Sequence, residues 1–210
     1  MDFAVARRAM VDSQLRPQAV TDARVVAAMA VVPRESFLPT AQHASAYVDR
    51  MVPLGEGRGL SPPASLGRLL TLLAPRPGER ALVVGSATGY AAAVLAEIGL
   101  DVTALESDAA LANQAPACAG VRTRSGDMTQ GAPDGAPYDL ILVDGEIEQL
   151  PDALIAQLGV GGRLGAALVE GGVARLVSGT RSVQGFGLKS HADAAMAPLP
   201  GFARPTIFTF

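Results

Sequence analysis

ERALVVGSATGYAAAVLAEIGLDVTALE, Glu79 to Glu106, decides the fold. Its apolar run, Ala81 to Val84, has the length and content of a strand buried on both faces of a parallel sheet. The run stops at five small residues, Gly85-Ser86-Ala87-Thr88-Gly89, which open an alanine-rich helix starting near Tyr90. A second short run, Val102 to Leu105, ends on an acidic residue, Glu106. Strand, glycine turn, helix, strand and terminal carboxylate form one half of a nucleotide-binding sheet. The turn lets a ligand approach the backbone closely, and the carboxylate accepts from ribose hydroxyls. The plainer reading, a tight strand-to-helix turn and nothing more, leaves the placement of Glu106 unexplained.

The glycine spacing selects among nucleotides. A dinucleotide fingerprint starting at Gly85 needs small residues at 87 and 90, and position 90 is Tyr90, too bulky for close helix–strand packing around a pyrophosphate. No Gly-Lys-Ser/Thr follows the turn, which excludes a P-loop. The pattern is G-x-x-x-G, Gly85 and Gly89, which suits a nucleoside without phosphates. S-adenosylmethionine is the commonest such ligand.

Working outward toward the amino terminus, apolar residues at helical spacing (Phe3, Met10, Val11, Leu15) predict a helix from about Asp2 to Leu15, ended by Arg16-Pro17. Thr21 is placed to cap a second helix, with Asp22 in its first turn, running through Val25 and Met29 to Pro33. Ala41 to Tyr47 is a third short helix. The Gly/Pro-rich segment from Arg50 to Pro63 reads as a loop crossing the surface, followed by a helix from Ser65 to Leu73. Toward the carboxyl terminus come a helix from Asp108 to Gln114, a marginal strand from Val121 to Thr123, and a strong strand from Tyr138 to Asp144. A helix from Pro151 to Leu158, a stop at Gly159 to Gly162, and a strand from Arg163 to Val169 complete the alternation. Beyond Gly172, β-like runs around Val177 and Phe186 and a Pro/Phe-rich tail predict edge strands.

This pattern predicts an α/β protein with a doubly wound, Rossmann-like parallel sheet, an N-terminal helical extension and antiparallel C-terminal edge strands. The expected organisation is one domain over 1–210, with 1–60 as helical extension and substrate loop, 61–170 as core and 171–210 as C-terminal strands. With 210 residues, a net charge of −3 and no basic cluster, the chain has no electrostatic footprint for nucleic acid. One cysteine, Cys118, and two histidines, His43 and His191, provide no metal-ligand cluster and no internal disulfide. No apolar stretch reaches the length of a membrane span, and the amino terminus lacks a signal-type apolar region. The expectation is a cytoplasmic protein, a monomer, with no metal, no membrane and no nucleic acid as partner.

The motifs outside the sheet carry a resemblance. SQLRPQAVTDARVVAAM (Ser13 to Met29), VPRESFLP (Val32 to Pro39) and AYVDRMVPLGEGRGLSPP (Ala46 to Pro63) accompany LVVGSATGY (Leu82 to Tyr90). They are followed by Gly126-Asp127, APYDLILVDG (Ala136 to Gly145) and LGVGGRL (Leu158 to Leu164). Together these resemble the protein-L-isoaspartate O-methyltransferase family over roughly residues 10 to 170. The sheet motifs alone indicate a methyltransferase of this general fold; QLR, VPRxxFxP and the loop ending in Ser-x-Pro are more specific. Departures are equally plain. Val83 stands where the family usually has an acidic residue, and Ala87 where it has glycine. Arg58, Gly59 and Ala64 replace the Gln, the Thr and the ring of its Gly-Gln-Thr-Ile-Ser-x-Pro-Tyr/His loop.

The resemblance implies S-adenosylmethionine as cofactor and isoaspartyl peptides or proteins as substrate, in a protein-repair reaction. A carboxylate acceptor with a pKa of about 3.9 is already ionised at neutral pH, so no general base is needed. What the protein must supply is alignment with water excluded, a contribution on the order of 7–11 kcal/mol. The expected cofactor residues are Gly85, Ser86, Ala87, Gly89, Glu106, Asp127, Met128 and Asp144: Glu106 for the ribose, Asp127 for the adenine amino group and Met128 for its ring. Asp144 is equally readable as a helix cap, and Asp127 as a turn aspartate. Arg58, Leu60 and Ser61 are expected on the substrate side, Ser61 as the hydroxyl that holds the acceptor and Arg58 as a cation attracting its carboxylate. Ser61 also reads as a loop serine capping the next helix. The departures leave two further readings open: methyl transfer to a different carboxylate, and a non-catalytic binding protein of this fold.

Overall fold

A computed structural model describes residues 1–204. Helix α1 (Phe3–Met10) is capped by the Asp2 carboxylate, which accepts from the Ala4 and Val5 amides, and it continues as a π-helical turn over Val11–Leu15. In α2 (Ala23–Val31) the cap is Asp22, which accepts from the Arg24 amide, and not Thr21; the carboxylate outcompetes the hydroxyl one residue earlier. The segments Arg34–Phe37 and Thr40–Ser45 are 3₁₀ turns.

The Gly/Pro-rich stretch is not a surface loop. It forms an antiparallel hairpin, β1 (Val52–Gly55) and β2 (Arg58–Leu60), and all of β2 is buried. The glycines that suggested a loop make the turn: Gly55, Glu56 and Gly57 all have positive φ. Gly59 is small because a Cβ there would lie 2.8 Å from the Val52 carbonyl. Helix α3 (Pro63–Leu73) begins with Pro63, whose missing N–H costs nothing in a first turn.

The main sheet then forms from β3 (Arg80–Val84), β4 (Asp101–Glu106), β5 (Val121–Ser125), β6 (Tyr138–Ile147), β7 (Leu158–Glu170), β8 (Val173–Ser182) and β9 (Gly185–Asp193). Its order is β5-β4-β3-β6-β7-β8-β9; the first five are parallel and β8 and β9 antiparallel, as the sequence predicts. Helices α4 (Tyr90–Ile98), α5 (Ala109–Gln114) and α6 (Asp152–Ala156) lie in the crossovers. Gly159 to Gly162 do not interrupt the chain between helix and strand: they belong to β7, which enters the sheet through an irregular register opposite Tyr138 and Leu140. The Pro/Phe-rich tail adds no edge strand within 194–202, and its last residues, 205–210, lie outside the described ones.

Alternation on β3 divides the interior. Ala81 and Val83 face a core built from α1, α2, α3 and α4, while Leu82 and Val84 face a second one with Ile141, Val143, Leu154 and Phe202. Val83, where the resemblance expects a carboxylate, is a fully buried core residue. Strand order reverses between β3 and β6, and the carboxyl ends of β3, β4 and β6 meet at that switch point, where ligands of open parallel sheets bind. On the first face, α3 packs directly on β7 because Gly165 carries no side chain; a Cβ there would sit 2.9 Å from a methyl of Leu69 and 3.0 Å from one of Leu73. Gly165→Val should overpack this contact and lower the unfolding free energy by about 1–3 kcal/mol, read from urea denaturation.

Candidate functional site

The switch point is organised by one side chain. Glu106, fully buried at the end of β4, accepts from the backbone amides of Ala87 (2.7 Å), Ser107 (2.9 Å) and Asp108 (3.2 Å). The same Oε2 that binds Ala87 accepts from the Arg58 guanidinium at 2.5 Å. The glycine turn is thus fastened to β4 by a carboxylate as well as by the Gly85 and Ser86 amides, which donate to the Leu105 carbonyl. Gly85, Ala87 and Gly89 all have positive φ, the conformation that makes glycine the usual residue in such turns. Ala87, at φ 49°, holds it without that freedom. The loop-orienting work that Val83 cannot do falls to Glu106.

Arg58 is therefore not an open cation at the substrate loop. Its side chain is 4% exposed, its Nη2 is paired with Glu106, and its Nη1 lies 3.5 Å from the Pro198 carbonyl. The hairpin turns Arg58 inward because β2 runs beneath the chain instead of over the surface. Leu60, next on β2, is buried in the first core.

Ser61 follows directly. It is buried, and its Oγ accepts from the Ala197 amide at 3.2 Å, while its carbonyl accepts from Arg34 at 2.7 Å. It makes no side-chain cap to α3; the Ala64 amide there donates to Asp49. Asp144, on β6 beside the glycine turn, is buried too, and its Oδ1 has no hydrogen-bond partner among the described residues. Burial pushes the Asp144 carboxyl up to about 6, against the opposing pull of the Ser61 hydroxyl and the Arg34 and Arg58 guanidiniums.

Asp127 lies farther out. It is exposed, and its Oδ1 accepts from the Thr129 amide and hydroxyl (2.8 and 2.7 Å), an Asx turn that holds its carboxyl below the usual range. Met128 beside it is buried, and together with Ser107, Gly126, Pro200 and Gly201 these two residues line a cleft of about 380 Å³. A larger concavity, about 1080 Å³, is elsewhere, between α1 and α2. The Arg7 and Arg16 side chains that line it are already paired with Glu35 and Asp12.

Two contributors escape a reading of the sequence. Arg34, inside VPRESFLP, is completely buried; it donates to the Ala46 and Ser61 carbonyls and stacks 4.7 Å from the centre of the Tyr90 ring. Thr88 of the glycine turn donates to the Phe37 carbonyl of the same motif, so this stretch is bolted to the site. The other contributor is the strap 194–202. The Glu146 carboxylate accepts from the Met196 amide, and the Glu146 backbone pairs with Ala197 and Leu199. The strap presses Leu199 onto the glycine turn, where a Cβ on Gly85 would come within 2.6 Å of it. Gly145 is likewise bare because a Cβ would meet the Ala197 carbonyl at 2.4 Å. The sequence signal was Pro198-Leu199-Pro200-Gly201, visible as a break from strand pattern.

The donor set can be tested against a nucleoside carrying an amino acid. Ser86 Oγ, Tyr90 OH and Asp144 Oδ1 are buried polar atoms lacking partners among the described residues; Asp144 borders the glycine turn that carries Ser86 and leads into Tyr90. Unsatisfied buried groups of this kind ask for a ligand that satisfies them. Glu106 would offer a carboxylate for hydroxyls once Arg58 moves from Oε2, and the Asp127–Met128 cleft would offer a place for a base. The chemistry fits.

Residues 6–181 match the family model described as protein-L-isoaspartate(D-aspartate) O-methyltransferase. A relative from Rhodopseudomonas palustris (strain HaA2), named protein-L-isoaspartate O-methyltransferase 1, is 41% identical over 95% of this chain and 84% of its own. Another, from Methylorubrum extorquens (strain PA1), named protein-L-isoaspartate O-methyltransferase, is 45% identical over 78% of this chain and 74% of its own. A solved protein-L-isoaspartate O-methyltransferase superposes with a TM-score of 0.81 at 21% identity, covering 93% of this chain and 66% of that one. A Plasmodium falciparum structure, described as a complex with S-adenosyl-L-homocysteine, superposes with a TM-score of 0.78 at 20% identity, covering 92% and 97%.

Removing the carboxylate in Glu106→Ala strands Arg58 in the interior, and the unfolding free energy should fall by about 3–5 kcal/mol in urea titration. Asp144 gives a pH signature. A pKa raised from 3.8 to about 6 means the fold holds this proton more tightly than the unfolded chain, so the associated stability is present below about pH 4 and lost as pH rises through 6. Asp144→Asn stays neutral throughout. Between pH 4 and 7 its stability should gain on the parent by up to about 3 kcal/mol in urea titrations across that range.

Proposed function

Because this chain belongs to the protein-L-isoaspartate O-methyltransferase family, we propose that it is an S-adenosylmethionine-dependent carboxyl methyltransferase acting on isoaspartyl residues in proteins. The observation that carries the reading is Glu106: a buried carboxylate at the end of β4 that already organises the glycine turn against which a nucleoside would lie. Glu106 would accept from the ribose hydroxyls. The Oδ2 edge of Asp127 would accept from the adenine amino group, with Met128 beneath the ring. The Asp144 carboxylate would face the ammonium, and Ser86 and Tyr90 would supply hydroxyls to the polar end. When bound, the cofactor supplies an activated methyl group.

The chain's own part is alignment. An ionised acceptor carboxylate needs no base, which agrees with a site that holds neither histidine nor cysteine: His43 contacts the Leu38 carbonyl and the Phe3 ring, His191 contacts Ser178 on β8, and Cys118 lies before β5. Ser61, fixed from behind by Arg34 and in front by the strap, accepts from the Ala197 amide and would hold the acceptor by donating its hydroxyl hydrogen. Burial of Ser61, Glu106 and Asp144 excludes water, which strengthens their contacts. Among the described residues no helix is long and apolar enough to cross a membrane.

Purified protein incubated with an isoaspartyl peptide and methyl-labelled S-adenosylmethionine should yield a base-labile methyl ester, and the matching aspartyl peptide should not. Transfer to other carboxylates but not to isoaspartate would favour the altered-substrate reading that Arg58, Gly59 and Ala64 raise.

A further inference from the structure

We propose that Arg58 is an internal competitor for the cofactor carboxylate which, once displaced, becomes the receptor for the acceptor's carboxylate. The inference rests on the cofactor site proposed above. Glu106 has two oxygens: Oε1 is engaged by the Ser107 amide and hydroxyl and the Asp108 amide, and Oε2 by the Ala87 amide and the Arg58 Nη2. A pair of ribose hydroxyls can use Oε2 only by taking Arg58's place, since the amides belong to the fixed backbone of the turn.

Arg58 is placed to move in one direction. Its Nε is buried and has no partner among the described residues, and its Nη1 makes only a long contact, 3.5 Å, to the Pro198 carbonyl. Pro198 belongs to the strap whose neighbouring residue, Ala197, holds the Ser61 hydroxyl. Ser61 is itself three residues along the chain from Arg58. Released from Glu106, the guanidinium therefore stays on the acceptor side with an unsatisfied donor, while Asp144, the other carboxyl it acts on, is taken up by the cofactor ammonium in the function proposed above. A buried arginine in that condition is strongly stabilised by a carboxylate meeting it in two-point geometry.

Two consequences follow. Cofactor affinity is lowered by the fraction of molecules in which the ion pair is closed. Acceptor binding is strengthened by prior cofactor binding, because only then is the arginine free, so the two ligands bind in order. Glutamine at position 58, the residue the family usually has there, neither neutralises Glu106 nor attracts a carboxylate.

The test is calorimetric titration with S-adenosylhomocysteine of the parent protein, Arg58→Gln and Arg58→Lys, together with steady-state kinetics on an isoaspartyl peptide. Arg58→Gln should bind S-adenosylhomocysteine about tenfold more tightly, with the peptide KM raised about tenfold and kcat at saturating peptide little changed. Arg58→Lys keeps the charge but loses the two-armed reach. It should shift cofactor affinity in the same direction by less, raise the peptide KM by less than the glutamine variant does, and provide the reading should the glutamine variant not fold. If the parent binds cofactor and methylates the peptide while neither variant binds more tightly, Arg58 is a structural partner of Glu106 and the proposal is overturned with the function intact. If no form binds S-adenosylhomocysteine at millimolar concentration, the methyltransferase reading falls and this inference with it.

Discussion

The Glu106 carboxylate, fully buried, joins three parts of the chain: the glycine turn after β3, the start of α5 and the β1–β2 hairpin. An ionised carboxylate without partners could not remain there, because desolvation would cost several kcal/mol. Its backbone amide donors come only from segments already folded around it, so turn, strand end and carboxylate specify one another. The Glu106 carbonyl extends the arrangement outward by accepting from Gly126, which sets the position of Asp127. In the absence of an acidic residue at 83, this one group orients the turn, and that is why β3 can carry Val83 into the core at no loss of definition.

The arginines are the second layer of the same constraint. Arg34 reaches the Ser61 carbonyl from the amino-terminal motif, and Arg58 reaches Glu106 from the hairpin; both are buried, and Tyr90 lies under one of them. Burial lowers the Arg34 pKa from its ordinary value, while Tyr90, Asp144 and Tyr47 pull it back up. The amino-terminal helices thus do more than cover the sheet. They deliver, through VPRESFLP, the side chain that fixes the Ser61 carbonyl.

How much of this the residues reveal depends on the range of the interaction. Strands β3, β4 and β6, helix α4 and the glycine turn are legible because buried parallel strands and small-residue turns write themselves locally, as Ala81 to Val84 and Gly85 to Gly89 do. The roles of Arg58 and the strap are not legible, because they depend on partners 48 and 136 residues away: Arg58 to Glu106, and Ala197 to Ser61. Gly55 and Gly57 misled for a related reason. A glycine-rich segment is a loop by composition, yet here the glycines serve a two-strand turn whose second strand is covered by the rest of the chain.

The closed arrangement stores polar groups that the protein itself does not satisfy. Arg58 Nε, Arg34 Nη1, Ser86 Oγ, Tyr90 OH and Asp144 Oδ1 are all buried, and none has a hydrogen-bond partner among the described residues. Each such group costs about 1–3 kcal/mol relative to its hydrogen-bonded state. Against this stand the strap's backbone pairing with Glu146 and the burial of Leu199 and Phe202. A purely structural core would replace these side chains with apolar ones, and selection for stability alone would favour that. Gathered around one glycine turn, they are the groups to which a polar ligand bound there would return the hydrogen bonds that folding leaves unmade.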